Sequence, residues 1–124
     1  MNYLKLLFII APLTVSSPAF AQFFEEEHLI TDVRNNIIWL RCSVGQTWDN
    51  EEKTCTGDLV KLNHDEIEVA LKQASEQLGG EWRLPTLGEL ESIVCEECDP
   101  PKIKERYFPN ISPEAYWTSK RNFL

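Results

Sequence analysis

The sequence lacks most of what catalysis would need. It holds two histidines, His28 and His64, and neither stands at a recognisable spacing from a serine or cysteine, so a nucleophile triad is unsupported. No phosphate-cradling glycine loop occurs, and the four cysteines and two histidines have no zinc-finger spacing. These gaps argue against an enzyme. Internal repeats, low-complexity tracts and linkers are also missing. Basic residues are scarce, with 12 lysines and arginines against 20 aspartates and glutamates. A body so acidic argues against nucleic-acid binding, because phosphate contacts need a basic face. After the first apolar run no second one follows, so no membrane span is expected once that run is removed.

What is present begins with a leader. Met1 to Lys5 carry a positive end, Leu6 to Val15 are almost wholly apolar, and Ala19-Phe20-Ala21 is a small-x-small cleavage site. Residues 1–21 therefore read as a secretory signal peptide, with an uncleaved anchor as the rival reading. Residues 22–124 then form one small domain, exported to the periplasm or beyond. Its charge is uneven. Between Gln22 and Asp99 there are 6 basic and 18 acidic residues. From Pro100 onward 5 basic residues (Lys102, Lys104, Arg106, Lys120, Arg121) outnumber 2 acidic ones, and these five are candidate contacts for an anionic ligand. The cysteines Cys42, Cys55, Cys95 and Cys98 make an even set, read in an exported chain as two disulfides.

Along the chain, Gln22 to Glu27 reads as a loosely held acidic terminus. His28 to Val33 and Ile37 to Cys42 form a hairpin across Asn35-Asn36, and the apolar second strand is expected inside its sheet. Cys42 is expected to pair with Cys55, with Trp48 opposite Cys55 in a smaller hairpin. Leu59 to Leu62 is a short bridge and candidate strand. Asn63-x-x-Glu66 caps a helix whose Ile67, Ala70, Leu71, Ala74 and Leu78 share a face, and Gly79-Gly80 ends it. Trp82-Arg83-Leu84-Pro85 is an extended corner, after which Thr86-x-x-Glu89 caps a second helix. Leu87, Leu90 and either Ile93 or Val94 of that helix should face inward. Phe108-Pro109 should tuck under a long irregular crossing, and Tyr116 to Ser119 looks like a strand. Trp39, Trp82, Leu84, Pro85 and Trp117 are the expected fold-defining residues, while Trp48 is either an exposed platform or a cover over the disulfide.

These motifs in this order carry a resemblance. Thr31-Asp32, Ile37-Ile38-Trp39-x-Arg41-Cys42, Gly45-Gln46-x-Trp48, Cys55-x-Gly57, Trp82-Arg83-Leu84-Pro85-Thr86, Phe108-Pro109 and Tyr116-Trp117-x-Ser119 together resemble the Lcl C-terminal domain family. The resemblance implies an α+β, C-type-lectin-like fold with two helices packed on antiparallel sheets. It also implies a non-enzymatic adhesin-like module that needs no cofactor and binds glycans or a protein ligand. Against the family pattern, the strands after Tyr-Trp-x-Ser and a late cysteine are missing, so the sheet reads as incomplete. That leaves a structural piece completed by a partner chain, or a truncated remnant, as alternatives. An open edge at Tyr116-Trp117 would invite self-association. Cys95-x-x-Cys98 reads as a local disulfide rather than a redox or zinc pair, since its acidic neighbours would raise a thiol pKa. One of the two cysteines belonging with the absent late cysteine is the rival pairing.

Overall fold

A computed structural model describes residues 21–120. Residues 1–20, with almost all of the expected leader, and Arg121 lie outside it. Three strands, β1 (Phe23–Glu26), β2 (Leu29–Asp32) and β3 (Ile37–Leu40), form an antiparallel sheet in that order. β4 (Thr47–Asp49) and β5 (Thr54–Thr56) make a separate hairpin, followed by α1 (His64–Leu78) and α2 (Leu87–Ser92). The chain is thus a small α+β unit. Among the described residues no helix is long and apolar enough to cross a membrane.

The expected hairpin forms as read. Asn36 takes a φ of 53°, a left-handed conformation that asparagine tolerates better than most residues, and it turns β2 into β3. Trp48 pairs with Cys55 across β4 and β5. The Cys42–Cys55 disulfide, with 5.5 Å between α-carbons, fastens that hairpin to the end of β3. Gly45 must be glycine. Its φ is 95°, and an added Cβ would meet a Val60 methyl at 2.6 Å and the Asp58 carbonyl at 2.7 Å.

Both helices start where the sequence says. Asn63 accepts from the backbone N–H groups of Asp65 and Glu66, and Glu66 closes the capping box on the Asn63 N–H. Thr86 and Glu89 repeat the arrangement at α2. Gly79 and Gly80, both at positive φ, end α1.

Tertiary context overrode several expectations. Gln22 to Glu27 is not a loose terminus: Phe23–Glu26 pairs with β2, and Phe23 packs on Tyr107 with ring centroids 4.9 Å apart. On an edge strand the glutamates can face water, so the acidic run is compatible with a strand. β1 in turn moves β2 to the centre and leaves β3 at an edge. Leu59 to Leu62 and Tyr116 to Ser119 are irregular. Within α2 no residue is buried, Leu90 being half-buried and Leu87 exposed; just past its end Ile93 is buried and Val94 exposed.

Nor do the tryptophans form the core. Trp39 and Trp82 are half-buried, as are Leu84 and Pro85, and Trp117 is exposed. The buried apolar residues are instead Ile30, Cys55, Ile67, Ile93, Cys95 and Phe108, joined by Asp32 and Arg41. Phe108 of the crossing stands edge-on to Trp39 of β3, with ring centroids 6.2 Å apart. The helices do not pack closely on the strands, unlike the pair that the resemblance implies. α1 buries Ile67 alone, with Ala70, Leu71 and Ala74 half-covered and Leu78 exposed.

Candidate functional site

Arg41 sits at the end of β3 and is 6% exposed. A buried cation is costly unless each donor finds an acceptor. Here Nε donates to the Tyr107 carbonyl at 2.9 Å, one terminal nitrogen to the Glu27 carbonyl at 2.9 Å, and the other to the Arg106 carbonyl at 2.7 Å. The guanidinium also lies 4.3 Å from the centre of the Trp48 ring, a cation–π contact. Burial lowers its pKa, opposed by the Glu25 charge and assisted by that of Arg106. With every nitrogen committed, Arg41 is a structural clamp and offers nothing to a ligand. It joins the β1–β2 turn, the β4–β5 hairpin and the crossing around residues 106–107. Trp48 is accordingly a cover over this clamp, not an open platform.

Asp32 is the second buried charge, with no exposed surface. Burial pushes its carboxyl up, but the Asn35 side chain, the Asn35 backbone N–H and Gln22 donate to it and hold it below the usual range. The Trp39 indole adds a weaker pull without a hydrogen bond of good geometry. The Asn35 amide also donates to Ser92 Oγ at 3.0 Å, which ties the hairpin turn to α2. Gln46 and Asn110 finish the wiring: Gln46 donates to the Asn110 carbonyl at 3.2 Å, and Asn110 to the Cys55 carbonyl at 3.0 Å.

Of the basic candidates, two are already engaged within the chain. Lys102 donates to the Glu96 carbonyl at 3.1 Å, and Arg106 is paired with Glu25 at 2.9 Å. Lys104 and Lys120 are exposed, Lys120 following Ser119, whose N–H donates to Pro85. Arg121 lies outside the described residues. Cys95 and Cys98 are bonded to each other, so neither is a free thiol or ligand. His64 approaches only the edge of Trp117, 6.4 Å between centroids.

Two hollows remain. One, of about 120 Å³, lies between β1 and the crossing and is bordered by Phe23, Ile93, Cys95, Lys104 and Tyr107. The other is an open groove of about 480 Å³ between α1 and the corner, bordered by Leu71, Lys72, Ser75, Glu81, Trp82 and Arg83. The corner is held rigidly beside this groove. The Trp82 indole donates to the Gly79 carbonyl at 3.0 Å, and its backbone N–H to Ser75 Oγ at 3.1 Å. Arg83 forks onto both oxygens of Glu89 at 2.8 and 2.9 Å. That bond, with the Thr86 N–H, holds Glu89 down to about 2. Sequence reasoning took Trp82 for a core residue and did not find the groove, because Lys72 and Ser75 reach it from another element.

Comparison with known proteins places the chain in a family. The family model of the Lcl C-terminal domain covers residues 28–123. No curated protein and no solved structure matches the chain.

Proposed function

Since the chain belongs to the Lcl C-terminal domain family, we propose that it is a non-enzymatic, exported recognition module that binds a glycan. The groove beside Trp82 carries this reading. A half-buried indole, held by its N–H bond to the Gly79 carbonyl, offers a fixed aromatic surface to a sugar ring, and Lys72 stands beside it as a polar contact. The C-type-lectin-like fold belongs to the same proposal. Two disulfides support an oxidising, exported location. The acidic body favours neutral or sparsely charged glycans over polysulfated chains.

The test is retention of the purified chain on immobilised neutral and sulfated glycans at low salt. Wild type should be retained, and Trp82→Ala should weaken binding about tenfold, the worth of one aromatic contact. Reversing the charges of Lys102, Lys104, Arg106, Lys120 and Arg121 should matter less. If that reversal abolishes retention while Trp82→Ala leaves it intact, the ligand lies on the basic segment instead. No retention of wild type on any glycan would sink the reading.

A further inference from the structure

We propose that the open edge of β3 is a pairing surface for a second copy of this chain, the two β3 strands running antiparallel across a two-fold axis. The two edges of the sheet are built differently. β1 is guarded: Glu25 and Glu26 lie on it, Glu27 follows, and Arg106 is bonded to Glu25. A second copy brought to that edge would set glutamate against glutamate. β3 has no such guard. From Asn35 to Leu40 the chain holds neither a charge nor a proline. An exposed, apolar, uncharged edge is a template for another strand.

The backbone offers the necessary groups. Arg41 donates its N–H to the His28 carbonyl at 2.9 Å, and in the antiparallel register Trp39 faces Ile30 and Ile37 faces Asp32. These odd-numbered residues turn their peptide groups towards β2, so Ile38 and Leu40 turn theirs to the open side. Among the described residues no hydrogen bond reaches the N–H or C=O of either one. The registers that overlap most of the strand set Ile38 opposite the partner's Ile38 or the partner's Leu40, since residues on one face meet. Both registers place apolar side chains together and no like charges.

The outer face supports the same occupant. Phe24, Thr31 and Ile38 stand in one row across the sheet, and Glu26, Leu29 and Leu40 in the next. Phe24 and Ile38 are each 54% exposed, as is Val33 beyond them. Pairing at β3 continues this band into the second copy, so that Ile38 and Leu40 cover one another. Elsewhere the acidic surface repels a like copy, whereas this strip is neutral.

Sedimentation across a hundredfold range of concentration, together with amide hydrogen exchange at Ile38 and Leu40, tests the proposal on the wild-type chain. A concentration-dependent dimer is expected, with both amides protected in the dimer and fast on dilution. Ile38→Lys, whose side chain points outward and leaves the core alone, should weaken association by about tenfold or more. Val69→Lys, at an equally exposed position on α1, should not. A monomer at every concentration with fast exchange at both amides overturns the proposal, and then β3 awaits a strand from a different protein or none. So does a dimer that keeps its affinity in Ile38→Lys.

Discussion

The two halves of this molecule are held by opposite means. Around Arg41, residues far apart in sequence are bonded together: the side chain of residue 41 reaches the carbonyls of residues 106 and 107, and Gln46 reaches Asn110. Around Trp82, almost every bond is local. Both helices close their own capping boxes, Trp82 bonds to Gly79, and Arg83 bonds to Glu89. One half needs the whole fold to be present before its polar groups are satisfied, whereas the other assembles from its neighbours. Stability should therefore concentrate in the first, and the helices should open more readily than the sheet.

The severest way to break this contrast is Arg41→Ala. It strands three carbonyls and opens space beside Trp48, and should cost about 3 kcal/mol or more in urea unfolding. Arg41→Lys should not restore it, because one ammonium cannot reproduce the planar fork. Should Arg41→Ala be tolerated within about 1 kcal/mol, the clamp is not what holds the half together.

Replacing both cysteines of a pair by serine sharpens the comparison. Cys42–Cys55 spans 13 residues and Cys95–Cys98 spans 3. By loop-closure entropy the first should be worth about 3 kcal/mol and the second about 2. Equal or inverted losses in thermal melts would show that more than chain entropy separates them.

The local half should respond more weakly. Thr86→Ala removes one cap and should cost about 1 kcal/mol, and Asn63→Ala about the same. Native-state hydrogen exchange should then speed up in the affected helix while β2 stays protected. Uniform acceleration would mean that the halves unfold as one.

Acid should have its smallest effect at the Trp82 corner, whereas protonation of buried Asp32, also held below the usual range, acts on the other half. Glu89 has a folded pKa near 2 against the usual 4.5. Its contribution to stability is therefore complete above about 4.5 and fades as pH falls towards 2. Replacing Arg83 with Gln should flatten that part of the pH–stability profile. A profile that does not change would show that the exposed fork adds little.

Legibility followed the same division. Capping boxes, the glycine stop, the Asn35-Asn36 turn and the Cys42–Cys55 pair were readable because their partners lie within one motif. The edge position of β3 was not, since it depends on whether Phe23 to Glu26 pairs with β2, and an acidic run reads equally well as solvent. Arg41 gave only a faint signal, a charge at the end of an apolar strand. That it would be buried could not be read without knowing that three carbonyls converge on it. Of the candidate site nothing was visible as a site: Trp82 read as core, and the groove depends on α1 lying beside it.

The sequence alone determined the helices, their starts and stops, the covalent cross-links and the family, because each is written in short-range chemistry or in the order of motifs. The tertiary structure decided which residues are core. It put Asp32 and Arg41 inside and left Trp117, Ile38 and Phe24 outside. Burial is a property of what converges on a residue from elsewhere in the chain, and an amino acid's own hydrophobicity does not fix it.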